Sequence, residues 1–381
     1  MVGWSVRVSV ASPAAVRARR AVGGGRAVGR RGRTCCGLRA GQSVGEEPVR
    51  VVAISDVHVD HPENMQWVRD LRDDLGACCV LAGDVSGDTD LLKEALLVFR
   101  AKYGRVFFTP GNHDLWLTSR ERRMGKSSLD KLAELLRWCQ EEAGVDTRPA
   151  LVGGRVWVVP VLSWYHSSFD TEPDIEGWQG IPPVERVMRD FKRCAWPQPL
   201  SDAADDSVLA EHFDGLNGGE YQRLWDQARA ASRAGDPVIS FSHFLPHIEL
   251  NPEKRHLYLP TLPRAIGSTY LGRRVTDLAP QVHIFGHTHF GFDGVLTKDG
   301  ATVRYIQAAL GSPKERGVRM PSLEIGCIET GPVPIYDGEQ GWAPVCPRAR
   351  WSAYYAVNKR RPELNTELSP WAAQRYRRAA A

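Results

Sequence analysis

Six short apolar runs, rich in β-branched and aromatic residues, end abruptly in polar residues and alternate with stretches of helical periodicity. This alternation predicts a layered α/β fold, in which helices cover a core of strands. The strand runs lie at residues 49–55, 77–82, 106–109, 156–162, 238–242 and 282–285. The predicted helices lie at residues 63–75, 89–103, 129–143, 184–194 and 220–234. The third is the clearest, because Ser127 or Ser128 can cap it and Gly144 can end it.

Two segments look like additions to a main domain of residues 46–313. Residues 163–219 combine Trp, Tyr, Pro and Gly with a run of acids, a composition too polar and broken for a regular layer. We predict that this insertion is a lid, because long connections in compact domains are commonly functional. After residue 313 the chain is rich in Pro and Arg, so residues 314–381 are expected to form an irregular C-terminal tail that packs partly on the body.

The polar residues at the strand ends carry the chemical information. They occur in five blocks: Asp56-Val57-His58, Gly83-Asp84, Gly111-Asn112-His113-Asp114, Ser242-His243 and Gly286-His287-Thr288-His289. Strand ends gather at one edge of an α/β sheet, so the five blocks are expected to converge on one pocket. Side chains alternate along a strand, so both members of an Asp-x-His or His-x-His pair should face the same side. Imidazole, carboxylate and amide donors without thiolate suit two divalent transition metal ions.

In this order the five blocks resemble the pattern of the calcineurin-like metallophosphoesterases: Asp-x-His, Gly-Asp, Gly-Asn-His-Asp/Glu, His and Gly-His-x-His. The resemblance covers about residues 49–313. It implies a four-layer α/β fold, built as a two-sheet β-sandwich flanked by helices. It also implies one metal ion held by Asp56, His58, Asp84 and His289, and a second held by Asp84, Asn112, His243 and His287, with Asp84 bridging the two.

The same resemblance implies hydrolysis of a phosphomonoester or phosphodiester with two divalent or trivalent ions, for which Mn, Fe and Zn are all compatible. Such ions clamp the phosphoryl oxygens and acidify a bridging water, whose hydroxide attacks phosphorus in line. His113 is then expected to stabilise the transition state and to protonate the leaving group as general acid. Asp114 is expected to orient His113 without contacting the substrate.

Other functions remain open on the same fold. A metal-binding scaffold protein that has lost catalysis would be expected to lack His113 or several ligands, and none is missing here. A nuclease would favour a basic groove along the phosphate backbone. Nine of the 49 basic residues and none of the 45 acidic residues lie in the first 45 positions, so the rest of the chain has a net charge near −5 and nucleic acid is not the expected substrate. The family's Ser/Thr protein phosphatases carry Asp-Arg after Gly-Asp, whereas Val85 follows Asp84 here, so that branch is not expected.

A small phosphoester is therefore the expected substrate, and aromatic residues behind a core strand are candidates to bind it. Trp164, Tyr165 and His166 directly follow the run at residues 156–162 and are predicted to contact the substrate; the alternative is that they pack the insertion. His283 lies inside a strand run, so it is expected to be a hydrogen-bonded strand residue and not a ligand. The sequence leaves the oligomeric state open.

The first 45 residues hold nine Arg and no acidic residue among many Ala, Gly and Val. This composition predicts a disordered organellar transit peptide. A chloroplast is favoured over a mitochondrion, because several glycines weaken an amphipathic helix. The alternatives are a basic arm that binds nucleic acid or a membrane surface and, without a targeting signal, a cytoplasmic protein. The sequence contains no run of about 18 apolar residues, so no membrane-spanning helix is expected.

Overall fold

The computed structural model describes residues 49–202, 205–317, 331–345 and 349–379. The strands are β1 (Arg50–Ile54), β2 (Asp74–Ala82), β3 (Tyr103–Thr109), β4 (Ala150–Val152), β5 (Val156–Pro160), β6 (Trp178–Gln179), β7 (Val238–Phe241), β8 (Val282–Phe285), β9 (Phe292–Lys298), β10 (Ala301–Gln307), β11 (Val333–Asp337), β12 (Gly341–Trp342) and β13 (Arg377–Arg378). The α-helices are α1 (Pro62–Asp70), α2 (Thr89–Lys102), α3 (Ser119–Arg123), α4 (Ser128–Trp138), α5 (Val184–Val187), α6 (Asp190–Arg193), α7 (Ser207–Leu216), α8 (Glu220–Ala234), α9 (Thr269–Leu278), α10 (Arg350–Val357) and α11 (Pro370–Ala373).

The parallel strands of the two larger sheets end on the same side of the molecule. The first has the order β12-β11-β1-β2-β3, and the second has the order β4-β5-β7-β8-β10-β9. Strands β1, β2 and β3 are parallel to one another, and so are β5, β7, β8 and β10. A parallel bridge between Ser55 and Ala309 joins the ends of β1 and β10. The carboxyl ends of the parallel strands of both sheets are therefore close together.

Apolar side chains fill the space between the sheets and beneath the helices. One core cluster joins α1 and α2 to both sheets and includes the fully buried Val51 and Ile284. A second cluster lies on the outer face of the second sheet, where Trp225 of α8 and Val275 of α9 pack. Full burial of such a side chain contributes about 1.5–3 kcal/mol. The predicted α/β fold of two sheets flanked by helices is confirmed.

The predicted helices occur close to the expected positions, with one exception. Helix α4 begins at a capping box between Ser127 and Asp130, and a π-helical turn, Cys139–Ala143, extends it to Gly144. The single helix predicted at residues 184–194 is instead the short α5 and α6, because the backbone is extended at Met188. The break allows Asp190 to reach the buried partners described below, and these tertiary contacts outweigh helical periodicity.

The prediction that residues 314–381 form an irregular tail is wrong for β11. This strand pairs antiparallel with β1 in the middle of the first sheet. Its signal is weak, because only Val333 and Ile335 are buried in a five-residue strand that also contains Pro334. Further along, the side chains of Arg360 and Asn365 bind the insertion residue Glu172.

The predicted transit peptide, residues 1–45, lies outside the described residues. Of the insertion at 163–219, all but residues 203 and 204 are described, and its regular elements are β6, α5, α6 and the ten-residue α7. Over the described ranges, no helix has the length and apolarity needed to cross a bilayer.

Candidate metal centre

The seven predicted ligands come together at the edge where the parallel strands of both sheets end. They follow β1 (Asp56, His58), β2 (Asp84), β3 (Asn112), β7 (His243) and β8 (His287, His289). The chain therefore contributes four ligands from the first sheet and three from the second. The site forms only when the two sheets pack together.

Asp56, His58 and His289 form the first ligand group. The Nε2 atom of His289 lies 3.1 Å from Oδ1 of Asp56 and 3.2 Å from Nε2 of His58. Asp56 is fully buried, and its carboxylate accepts the backbone N–H of His287 at 3.0 Å. His58 also lies within reach of Asp84, because these two residues and His113 form a second cluster of potential ligand atoms.

Asp84, Asn112, His243 and His287 form the second ligand group. The amide oxygen of Asn112 lies 3.0 Å from Nε2 of His243 and 2.9 Å from Nδ1 of His287. Nε2 of His243 also lies 3.4 Å from Oδ1 of Asp84. Asp84 thus shares one cluster with His58 and His113 and another with His243 and His287, which is the position that a bridging carboxylate needs.

Hydrogen bonds on the outer nitrogens fix the orientation of three rings. Nδ1–H of His243 donates to the carbonyl of Ala82 at 2.9 Å, and Nε2–H of His287 donates to the carbonyl of Ala265 at 2.9 Å. Nδ1 of His289 lies 3.1 Å from Oε2 of Glu315. Each ring therefore directs its other nitrogen into the cluster, which is the arrangement that metal-binding histidines use.

The electrostatics of the cluster favour a cation. Burial favours the neutral form of His289, but the carboxylate of Asp56 raises the pKa of the ring to about 10. Burial also opposes charge on His243, whose pKa Asp84 raises to about 9. Burial lowers the pKa of His287 to about 3. Protons held on rings between carboxylates are displaced when a metal ion binds the same atoms.

The donor set fits two transition metal ions. Three clusters of Asp and His side chains have their ligand atoms within 4.8 Å of one another, and Asp84 belongs to two of the three. Nitrogen donors mixed with carboxylate and amide oxygens suit Zn, Mn and Fe.

Most of these ligands have a left-handed backbone. Among the described residues, seven residues other than glycine have positive φ, and five of them are ligands: Asp56 (52°), His58 (47°), Asp84 (56°), His287 (74°) and His289 (53°). We expected the alternation of side chains along a strand to bring both members of the Asp-x-His and His-x-His pairs to one side. That expectation is wrong in mechanism, because tight turns orient these side chains. Such conformations cost about 1–3 kcal/mol each and cluster at functional sites.

Two glycines allow the close approach of these turns. A Cβ atom at Gly111 would lie 2.2 Å from Oδ1 of Asp84, and one at Gly286 would lie 2.7 Å from Oδ2 of Asp56. No side chain fits at those distances, so the turns require glycine at both positions.

His113 lies beside the ligands in an open cleft of about 550 Å³. Its ring stacks on Trp116 with 3.6 Å between ring centroids, and its Nε2 atom lies 3.8 Å from Oδ2 of Asp84. His58, Asp84 and Asn112 also line the cleft, together with Met188 and Arg189 of the insertion, as well as His61, Leu262, His287, Thr288, His289, Phe290, Ser312 and Glu315. The insertion therefore contributes to the cleft wall.

A family model described as calcineurin-like phosphoesterase matches residues 49–291. The chain belongs to this family. The acyl-carrier-protein phosphodiesterase PptH of Mycobacterium tuberculosis is 27% identical over 300 residues, which cover 74% of this chain and 83% of that protein. The crystal structure of the Mycobacterium tuberculosis phosphopantetheinyl hydrolase PptH gives a TM-score of 0.52 at 22% identity and covers 73% of this chain and 94% of that one. The likeness to that structure supports the fold alone, whereas the family match makes this chain a metal-dependent phosphoester hydrolase.

In this calcineurin-like phosphoesterase, Asp114 supports the backbone of the ligand loops. Its buried carboxylate accepts the N–H groups of Asp84 and Gly111 at 2.8 Å, of Val85 at 2.8 Å and of Ser86 at 3.0 Å. Burial and the nearby Asp84 raise its pKa to about 7, although the backbone N–H groups oppose that shift. The expectation that Asp114 acts by orienting His113 is corrected accordingly: it positions the turn that carries Asp84.

Asp190 of α6 is a site residue that the sequence did not reveal. Its Oδ1 atom accepts hydrogen bonds from Nδ2 of Asn112 at 2.8 Å and Nε1 of Trp116 at 2.6 Å, and its Oδ2 atom accepts one from the Tyr165 hydroxyl at 3.1 Å. Because the amide nitrogen of Asn112 is held in this way, its oxygen faces His243 and His287. A lone Asp in a helical pattern carries no signal of such a role.

Two further polar residues support the phosphoesterase site from outside the five blocks. Glu315 contacts His289, as described above, and Nδ2 of the buried Asn64 donates to the carbonyls of Val57 at 2.7 Å and Gly311 at 3.0 Å. Asn64 therefore ties the turn after β1 to the segment after β10. Neither residue lies in a sequence motif that would indicate a role in the site.

The prediction that Trp164, Tyr165 and His166 contact the substrate is wrong in this structure. Each is less than 5% exposed, and Trp164 and Tyr165 pack in the second core cluster. The alternative, that they pack the insertion, is what the structure shows. His283, expected to be a satisfied strand residue, is buried between the hydroxyls of Ser240 at 2.8 Å and Ser242 at 3.0 Å.

Replacing Asp190 should weaken metal binding without removing a ligand. We expect Asp190→Ala to lower metal affinity by about 10- to 100-fold, because the Asn112 amide loses the partner that orients it. Asp190→Asn, which keeps one acceptor oxygen, should recover much of the affinity. Metal titration monitored by calorimetry measures this, with Glu185→Ala at an exposed acid of the same segment as control. Wild-type affinity in Asp190→Ala would remove this positioning role.

Proposed function

We propose that this chain hydrolyses a phosphodiester at a two-metal site, with His113 as general acid. The observation that supports this most strongly is the position of Asp84, which shares one cluster of potential ligand atoms with His58 and His113 and another with His243 and His287. Asp56, His58, Asp84 and His289 would hold one ion, and Asp84, Asn112, His243 and His287 would hold the other. Two ions bound there would stabilise charge on the phosphoryl oxygens and lower the pKa of a water molecule.

The chain's own residues supply the remaining steps. Trp116 stacks on the His113 ring, and the backbone N–H of His113 donates to Oδ1 of Asp84 at 2.8 Å, so the His113 backbone is anchored to a proposed ligand. Burial lowers the pKa of His113 to about 3, an effect that the charge of Asp84 opposes. A phosphate group bound beside Nε2 would oppose it further, since an opposite charge favours the protonated ring. His113 would then give that proton to the departing alkoxide oxygen.

The proposed substrate is a phosphodiester attached to a carrier protein. The Mycobacterium tuberculosis relative is named acyl-carrier-protein phosphodiesterase, and the protein of the similar crystal structure is named phosphopantetheinyl hydrolase. The cleft is open to solvent, which suits a substrate presented on an arm by a second protein. The intact ligand set and His113 argue against an inactive scaffold, and the net negative charge of residues 46–381 argues against a nuclease.

A hydrolysis screen tests this function. Purified protein supplied with Mn²⁺ or Zn²⁺ would be offered phosphomonoesters, phosphodiesters, nucleotides and an acyl carrier protein bearing phosphopantetheine. We expect metal-dependent release of the arm from the carrier protein and turnover of simple diesters. Hydrolysis confined to monoesters would contradict the diesterase assignment.

We also propose that residues 1–45 are an organellar address, with a chloroplast as the first candidate. The contrast between nine Arg without acids in this segment and the acidic remainder supports the proposal. A chain that starts at Gly45 should keep full hydrolytic activity, because the first ligand is Asp56. Residues 1–45 fused to a fluorescent reporter should direct it into the organelle. A reporter that stays in the cytosol, or loss of activity on truncation, would instead support the basic-arm alternative.

A further inference from the structure

A cluster of basic side chains lies next to the cleft. The basic surface consists of seven exposed residues in residues 119–124 and 184–193: Arg120, Arg122, Arg123, Arg186, Arg189, Lys192 and Arg193. The acids in these two segments are Glu185, which is exposed, and Glu121 and Asp190, which are buried. The local excess of positive charge contrasts with the net charge near −5 of residues 46–381.

The side chains of this surface are available to a partner. In the part of the chain that the structure describes, Arg120, Arg123, Arg186 and Lys192 form no ion pair with an acidic side chain. Like charges held together without acidic partners repel one another. A partner of opposite charge would relieve that repulsion.

The two segments form one surface, which is joined to the site. A guanidinium N–H of Arg122 donates to the carbonyl of Lys192 at 2.6 Å, and the backbone N–H of Leu117 donates to the carbonyl of Arg193 at 2.8 Å. The guanidinium of Arg193 lies 5.4 Å from the centre of the Trp116 ring, on which His113 stacks. Arg189 lines the cleft itself. A molecule bound to the basic surface would therefore lie at the cleft entrance.

Exposed apolar side chains among the charges favour a protein partner over a nucleic acid. Met124 is 62% exposed, Val187 47% and Phe191 46%, and all three lie in the same two segments. Exposed apolar groups between basic ones can be buried against a folded protein, whereas a nucleic acid backbone offers mainly phosphates to such a surface.

We propose that the basic surface docks an acidic protein that presents the phosphodiester to the cleft. The inference rests on the proposed function for the hydrolysis of the phosphodiester. The binding of the acidic protein does not depend on that function. Acidic side chains of the partner would pair with the arginines and the lysine of the basic surface and would speed the partner's association with the site. The exposed apolar side chains would be buried when the two proteins bind. Specificity would then reside in the carrier protein as well as in its phosphodiester arm.

The test measures binding and hydrolysis separately. The probe is a fluorescently labelled acidic acyl carrier protein bearing phosphopantetheine, mixed with the full chain. The test variant is Arg186→Glu with Lys192→Glu, neither of which lines the cleft. The control variant is Arg72→Glu with Arg137→Glu, which makes the same change in charge at exposed positions outside the basic surface. Hydrolysis of bis(p-nitrophenyl) phosphate reports on the site itself.

We expect the test variant to slow association with the carrier protein on the order of tenfold or more, with a weaker salt dependence. The control variant should associate like wild type, and all three proteins should hydrolyse the small diester equally. A second pair on α3, Arg120→Glu with Arg123→Glu, should reproduce the loss and guards against local misfolding of α5 and α6.

Three results would overturn the docking surface. They are equal association by test and control variants, association insensitive to salt, and preferential binding of single-stranded RNA that the test variant abolishes. Failure of the proposed function would look different: wild type would bind the carrier protein through the basic surface but would hydrolyse neither its arm nor the small diester.

Discussion

Asp84→Asn is expected to lose both bound metal and hydrolytic activity, with turnover falling to the background rate. Asp84 belongs to two of the three ligand clusters, and Oδ1 also accepts the backbone N–H of His113 at 2.8 Å. An amide is a neutral and weaker ligand, and its NH₂ group cannot bind a metal ion. One substitution should therefore affect both ions together.

The control for this variant is Asp90→Asn, which changes an exposed acid in the first turn of α2. Elemental analysis of the two purified proteins, with hydrolysis of a phosphodiester in the same preparations, makes the comparison. If Asp84→Asn kept both ions and near-normal turnover, the bridging role of Asp84 would be refuted.

His113→Ala should slow hydrolysis by about 10²- to 10⁴-fold while metal content stays normal, because general acid catalysis contributes a factor of that size. The reason is geometric. The ring lies in the cleft beside Asp84, but its nitrogen is 3.8 Å from the carboxylate, and the residue is outside the seven-ligand set. Although His113 shares a cluster of potential ligand atoms with His58 and Asp84, removing it takes away the proposed proton donor and none of the seven proposed ligands.

The leaving group gives a sharper version of this test. A nitrophenolate departs without a proton, so the effect of His113→Ala should shrink for nitrophenyl esters and remain large for alkyl esters. His212→Ala, which removes a histidine of α7, serves as the matched control. An equal loss for good and poor leaving groups would exclude His113 as the general acid.

The convergence of the seven candidate ligands could be predicted from the sequence because they are contiguous with strong strand signals. Each block directly follows an apolar run, and topology brings strand ends to one edge. The sequence did not show how the backbone directs the side chains of the Asp-x-His and His-x-His pairs into the cluster. Asp56 and His287 have positive φ, which single-residue preferences assign mainly to glycine.

The residues that support the ligands could not be predicted for a different reason. Asp190 lies 78 positions from Asn112, and Glu315 lies 26 from His289, in segments that the sequence assigned to an insertion and an irregular tail. Their roles follow from tertiary contacts alone. Trp164 and Tyr165 illustrate the converse error, since aromatic residues behind a strand end serve as core as readily as they serve a ligand.

The proposal that this chain is a two-metal phosphodiesterase can be tested by titrating Mn²⁺ into chelator-treated protein while counting bound ions and measuring phosphodiester hydrolysis. We expect no turnover in the metal-free protein and activity that rises to its maximum as two ions bind per chain. Full activity without metal, or maximal activity with one ion bound, would contradict it.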